Sequence, residues 1–208
     1  MPLVVAIDGP AGAGKSTVAR RVAEALGLTL VDTGAIYRAV ALLALRAGVD
    51  TEDASALGEI ARSLDIEFKL DASGNHVWVA GEDVTSAIRT PAVAMAASSV
   101  SRHPEVRGAL LELQRSYAAR EGAVLEGRDI GTVVLPNAQV KVFLDASPEE
   151  RARRRFEELQ NAGDPSCTYD DVLAEVKQRD RQDRNRAVAP LKPAPDVKST
   201  RQVPPLSP

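Results

Sequence analysis

The chain opens on an unbroken apolar run, Leu3-Val4-Val5-Ala6-Ile7, whose length and following glycine predict a buried strand. Apolar positions then recur at Val18, Val22, Ala25 and Leu26, the spacing of one helical face, and predict a helix over 15–26. A short strand over 28–31 and a helix over 34–47 continue the alternation. Further on, Ala123-Val124-Leu125 and Val140-Lys141-Val142-Phe143-Leu144 have the texture of buried strands, and helices are predicted over 91–101, 105–119, 148–161 and 168–184. Strands that alternate with helices in this way imply an α/β fold with a parallel sheet. One stretch departs from the pattern. Ile66, Phe68 and Leu70 alternate with Glu67, Lys69 and Asp71, a turn falls at Ser73-Gly74-Asn75, and Val77 and Val79 resume the alternation. Period two on both sides of a turn predicts an antiparallel hairpin inserted into the parallel fold.

Directly after the first strand, Gly9-Pro10-Ala11-Gly12-Ala13-Gly14-Lys15-Ser16-Thr17 fits the phosphate-binding pattern G-x-x-x-x-G-K-[ST]. Small residues let backbone amides approach a polyphosphate, and the following helix adds its positive end. In that arrangement Lys15 reaches the β and γ phosphates, and the Ser16 hydroxyl is a ligand for the bridging Mg2+. A glycine-rich turn that happens to precede a helix is the plain alternative, and the strand before and amphipathic helix after argue against it. Asp71-Ala72-Ser73-Gly74 superficially fits a GTPase switch, but hairpin alternation explains it better and no base-reading N-K-x-D element occurs.

Composition narrows the class. The 208 residues suffice for one sizeable domain with a small insert, and 44% hydrophobic residues is ample for a core. A net charge of -3 from 26 basic and 29 acidic residues gives no general basic field for nucleic acid, so an anion site has to come from local clusters. Cys167 is the only cysteine and is expected to be an incidental loop thiol; His76 and His103 are too far apart in sequence to suggest a metal site. No apolar stretch approaches membrane-spanning length and the chain starts on a strand where a signal peptide needs a basic flank, so a cytoplasmic enzyme is expected.

Arginines decide what receives the phosphoryl group. Asp32-Thr33-Gly34-Ala35-Ile36-Tyr37-Arg38 opens a helix with a hydroxyl, an aromatic ring and a guanidinium, suited to a second phosphorylated, ring-bearing ligand. A plainer reading makes Thr33 an N-cap and leaves Arg38 solvated. Glu126-Gly127-Arg128-Asp129-Ile130-Gly131 follows a buried strand, where open α/β sheets bind ligands; Arg128 suits a phosphate and Asp129 a base or ribose acceptor, a salt-bridged turn being the alternative. Arg151, Arg154 and Arg155 share a helix face by i, i+3 and i, i+4 spacing, as under a lid that closes on a polyphosphate, although Glu149, Glu150, Glu157 and Glu158 also permit a solvated helix. A second basic cluster, Lys177, Arg179, Arg181, Arg184 and Arg186, raises nucleic-acid binding, which interleaved acids and 3% aromatic content weaken.

Four segments, Ile7–Thr17, Asp32–Arg38, Glu126–Thr132 and Asp183–Pro190, resemble the bacterial cytidylate kinases, P-loop nucleoside monophosphate kinases. The resemblance covers roughly residues 3–196 and implies transfer of the γ-phosphoryl group of MgATP to CMP or dCMP, with ATP as co-substrate and Mg2+. It implies a parallel sheet flanked by helices in a domain over 1–196, an antiparallel monophosphate-binding insert at about 63–100 dividing core segments 1–62 and 101–196, and a helical lid at about 147–167. Carried onto matching positions, it puts Ser98, Arg107 and Asp129 at the cytosine and Arg179 and Asp183 at the ribose. Arg38, Arg128 and Arg186 fall around the acceptor phosphate, with Thr33, Tyr37 and Arg89 also on the acceptor side. Lys15, Arg128, Asp129 and Arg154 are the implied catalytic groups. Gly9 through Thr17, with Arg151 and Arg155, would hold ATP, and Ser16 the metal. A monomer is expected because lobes of such a kinase must close, and neither a nucleic-acid nor a membrane partner is.

The family pattern fails after Pro195-Asp196, where an apolar strand and closing helix are replaced by Val197-Lys198-Ser199-Thr200-Arg201-Gln202-Val203-Pro204-Pro205-Leu206-Ser207-Pro208. Six of the thirteen prolines lie between 190 and 208, so neither element is expected to form; 197–208 is read as a disordered tail and the C-terminus as altered or truncated. Two other readings stay open: a different small-molecule P-loop kinase, such as a uridylate or shikimate kinase, and a nucleotide-binding protein that has lost turnover.

Overall fold

The computed structural model describes residues 2–120, 122–161 and 168–201. In chain order the elements are β1 (Val4–Asp8), α1 (Lys15–Leu26), β2 (Thr29–Asp32), α2 (Thr33–Ala47), α3 (Ala54–Arg62), β3 (Ile66–Asp71), β4 (Gly74–Val79), β5 (Glu82–Asp83), α4 (Pro91–Val100), α5 (Pro104–Arg120), β6 (Ala123–Gly127), β7 (Val140–Asp145), α6 (Pro148–Asn161), α7 (Tyr169–Asn185) and β8 (Lys198–Arg201). A 3-10 turn, Ala87–Arg89, precedes α4, and a π-helical turn, Ile130–Val134, follows β6. Strands β2 and β6 pair in parallel, β1, β7 and β8 pair in parallel, and β3, β4 and β5 form a three-stranded antiparallel sheet. Strand β1 is buried at every position from Val4 to Asp8, as a strand covered on both faces requires, while Leu3 at the head of the apolar run is exposed. Among the described residues no helix is long and apolar enough to cross a membrane.

The fold divides into two compact units. The first, residues 1–4 and 19–126, pairs β2 with β6 in parallel from Thr29↔Ala123 to Asp32↔Glu126. Helix α2 starts where the Asp32 carboxylate accepts the Ala35 amide at 3.0 Å, and it stops at Gly48 in the left-handed conformation. It packs on α3 and α4, and α3 on α5. The hairpin is antiparallel with Phe68 opposite Val77, and α5 holds it through the Tyr117 ring, edge-on to Phe68 at 5.6 Å. The alternation predicted the hairpin but not its register: the turn falls at Ala72-Ser73, so Gly74 and Asn75, expected in the turn, pair with Asp71 and Leu70 as the start of β4.

The second unit, residues 5–18 and 127–208, pairs β1 and β8 in parallel with opposite sides of β7. Helices α6 and α7 pack together, with Phe156 edge-on to Tyr169 at 6.3 Å. Strand β8 corrects the expectation that no element forms beyond Asp196: Lys198–Arg201 runs in register with Val142–Asp145. A parallel ladder needs only backbone donors and acceptors, and these four residues contain no proline. The segment leading to it is tethered by Lys141, whose buried amine donates to both carboxylate oxygens of Asp196 at 2.8 Å. Residues 202–208 of the expected tail, 162–167 of the expected lid, and Cys167 lie outside the described residues.

Candidate active site

In the second unit, β1 delivers the chain into the phosphate loop at Gly9, where φ is +150° and a Cβ would stand 2.0 Å from the Leu144 carbonyl oxygen, so no other residue fits. Lys15, the first residue of α1, is only 7% exposed and its amine donates to the Pro10 carbonyl at 2.8 Å, across the loop. Ser16 follows in the first turn of α1.

The three arginines of α6 part company. Arg151 was expected to hold ATP on the strength of helical spacing; instead it is 1% exposed and its donors are committed to the protein. Nε donates to the Ala146 carbonyl at 2.9 Å and Nη1 to the Ala11 carbonyl at 3.0 Å, while both Nη atoms grip the Asp180 carboxylate of α7. It braces the phosphate loop from behind. Arg154, one turn on, bonds Glu150 through Nε at 2.9 Å, and its Nη1 lies 4.0 Å from where a Cβ on Gly14 would sit, beside the loop. Arg155 does not join them: its guanidinium pairs with Glu158 at 3.2 Å on the exposed side of α6. Helical spacing put the three Cα atoms on one face, but packing against α7 decides which long side chain turns inward.

The turn after β6 and the end of α7 exchange charges. Arg128 Nε donates to the Asp183 carboxylate at 2.9 Å, and Arg186 Nη2 to that of Asp129 at 3.3 Å. Four of the residues expected at the acceptor are therefore gathered into two pairs, with Arg179 one turn before Asp183 on the same helix. Asp129 is 5% exposed. Behind it, Asp8 at the end of β1 is equally buried, and its carboxyl is pushed up to about 6, chiefly by burial and further by the Asp129 charge, against hydrogen bonds from the Gly131 and Ile130 amides and the nearby Lys15 ammonium.

In the first unit, Asp32 rather than Thr33 caps α2; the Thr33 hydroxyl is buried and donates to the Glu126 carbonyl at 2.7 Å. The other Asp32 oxygen accepts from Arg38 Nη2 at 2.6 Å, whose Nε is buried without a hydrogen-bond partner among the described residues. Arg38 is thus not the solvated side chain of the plainer reading. At the preceding position, the Tyr37 ring receives the guanidinium of Arg107 from α5 at 5.6 Å, a cation–π contact that brings together two expected acceptor residues far apart in sequence. Ser98 is half-buried on α4, which packs on α2, and Arg89 is exposed at the end of the 3-10 turn.

A strand, a glycine-rich loop and a helix that begins on a buried lysine, with an arginine beside the loop, define a P-loop nucleotide-binding protein. Residues 5–201 match the family model for cytidylate kinase. The cytidylate kinase of Mannheimia succiniciproducens is 54% identical over 94% of this chain and 86% of its own length, and that of Pelotomaculum thermopropionicum is 55% identical over 93% and 85%. A third, from Pasteurella multocida, is 54% identical over 94% and 86%. The chain belongs to the cytidylate kinase family.

Sequence reasoning gave no role to Asp8, Asp32 or Asp180. A signal existed for the first two, each an acid that closes a buried strand just before a loop or helix. None existed for Asp180, one of many acids on a highly charged helix and selected only by its contact with Arg151.

Proposed function

We propose that this chain transfers the γ-phosphoryl group of ATP to CMP or dCMP, giving ADP and CDP or dCDP, as a Mg2+-dependent cytoplasmic monomer. The observation that carries this reading is the gathering, within one compact unit, of the phosphate loop and the Arg128–Asp183 and Arg186–Asp129 pairs. Amides of Gly9 through Thr17 take the donor's phosphates, and Lys15 exchanges the Pro10 carbonyl for a phosphate oxygen. Arg154 neutralises charge on the transferred group; Arg155 is given no phosphate role.

Arg128 and Arg186 turn from carboxylates to the acceptor phosphate, joined by Arg38, whose unsatisfied Nε supports a further acceptor there. Arg179 and Asp183 hold the ribose, and Thr33, Tyr37 and Arg89 complete the acceptor side. Ser98 and Asp129 accept from the exocyclic amine of cytosine, while Arg107 donates to its ring nitrogen and carbonyl. Uracil turns the amine into a carbonyl and protonates the ring nitrogen, so it sets an oxygen against a carboxylate and an N–H against a guanidinium. A buried site rejects such mispairing far more firmly than a missing methylene.

An oxygen of the acceptor phosphate attacks the γ-phosphorus as its bond to the β,γ-bridging oxygen breaks. The acceptor is already an anion and needs no strong base, so positioning and charge neutralisation supply most of the acceleration. Mg2+ supplies charge neutralisation on the phosphates when bound. The Ser16 hydroxyl is an oxygen donor of the kind it takes beside phosphates and water, and among the described residues no cluster of three His, Cys, Asp or Glu offers a separate cage. We assign about 63–100 to the monophosphate-binding insert and 147–161 to the described part of the lid.

The test is chromatography of products from CMP and MgATP. The folded chain is expected to form CDP and ADP in equal amounts, and Lys15→Ala to abolish both. ATP binding with no CDP formed would overturn the reading and favour a nucleotide binder without turnover.

A further inference from the structure

Asp8 ends β1 and stands immediately before the phosphate loop. Its side chain reaches across to the turn after β6: Oδ1 accepts the Ile130 amide and Oδ2 the Gly131 amide, each at 2.8 Å. These amides open the π-helical turn Ile130–Val134, where first-turn N–H groups have no partner within the helix. Two bonds from one rigid carboxylate fix the rotation of the turn as well as its position. The residues just before the gripped amides are Arg128 and Asp129, and Asp129 sits at φ -143°, ψ 24°, outside helical geometry, so its side chain leaves the backbone at an angle that the following turn sets.

The grip is made at a cost. The carboxylate is buried, it lies near a second buried carboxylate, and its pKa is raised accordingly. Lys15 faces it from the start of α1, and the stem of Lys141 lines the same space, 3.2 Å from where a Cβ on Gly131 would sit. Asparagine has nearly the same shape but offers one acceptor oxygen, so it leaves one amide facing an N–H donor.

We propose that Asp8 is the positioning residue of the acceptor site, holding the Arg128–Asp129 turn from the end of the strand that also launches the phosphate loop. The inference rests on the assignment of Asp129 to cytosine and Arg128 to the acceptor phosphate. Loss of one buried hydrogen bond, with its partner orphaned, is expected in Asp8→Asn to lower the CMP over UMP ratio of kcat/KM by about tenfold and to raise KM for CMP, with KM for ATP changed less than about twofold.

The experiment measures these constants for Asp8→Asn, Gly131→Ala and Asp129→Asn, with a thermal melt on each. Gly131→Ala sets a methyl 3.2 Å from the Lys141 stem and in contact with Asp8 Oδ2 at 3.4 Å, crowds the gripped turn from the other side, and carries the test should Asp8→Asn fail to fold. A lowered ratio in a folded Asp8 or Gly131 variant supports the inference, whatever Asp129→Asn does. An equal loss of activity with both acceptors and an unchanged ratio overturns it. If Asp129→Asn alone lowers the ratio, the base assignment stands and the role of Asp8 falls; if none does, both fall.

Discussion

Arg151 and Arg154 stand one helical turn apart on α6, and burial separates their tasks. Arg151 answers the Asp180 carboxylate at 1% exposure, so its removal leaves a buried charge unpaired. Arg151→Ala is expected to cost about 3–5 kcal/mol of unfolding free energy in urea titrations. Arg154 is partly exposed beside the loop; Arg154→Ala is expected to change stability by less than about 1 kcal/mol while turnover falls roughly 100-fold. The reverse ranking would exchange their roles. Asp8 makes a second prediction at this scale. Its carboxyl is raised from 3.8 to about 6, so the folded chain holds this proton more tightly than the unfolded one. Its contribution to stability is full below about pH 4 and is lost as pH climbs through 6. Relative to Asp8→Asn, the parent chain is expected to lose roughly 3 kcal/mol between pH 4 and pH 7, measured by urea titration across that range. Parallel curves for the two chains would contradict it.

At the scale of elements, periodicity was enough to place α1, α6 and the hairpin; spacing and burial coincide in the hairpin, whereas in α1 the buried apolar positions are Ala19 and Ala23, and Ala25 and Leu26 of the predicted face are exposed. It was silent on α3, whose inward residues Leu57, Gly58 and Ala61 include only one large apolar side chain, although Asp53 caps it in plain view. The π-helical turn left no sequence signal either, because the groups that satisfy it belong to Asp8, far away in the chain. Strand β8 was misjudged because its polar composition and flanking prolines outweighed what a ladder requires. If β8 closes the edge of β7, deletion of residues 198–208 is expected to lower the melting temperature and to speed amide exchange over Val142–Asp145. Unchanged exchange there would mean that the pairing contributes nothing in solution. For the site, the phosphate loop was legible because its chemistry is contiguous. The pairings Arg107–Tyr37, Arg128–Asp183 and Arg186–Asp129 join distant segments and needed the fold.

Across the whole molecule, a net charge of -3 conceals strong local order. Arginines expected to meet phosphate each face a carboxylate: Arg38 with Asp32, Arg128 with Asp183, Arg186 with Asp129. Carboxylates hold these partly buried cations oriented, and on the proposed reading an acceptor phosphate, with more negative charge and more acceptor oxygens, would displace them. On the proposed assignment, such a site would read its acceptor twice, once by charge at the phosphate and once by hydrogen-bond pattern at the base. The second reading would separate cytidylate from uridylate. The most direct measurement is therefore the ratio of kcat/KM for CMP to that for UMP with MgATP as donor. A preference of about 100-fold or more, collapsing towards unity in Asp129→Asn, is expected; comparable use of both acceptors by the parent chain would contradict the account.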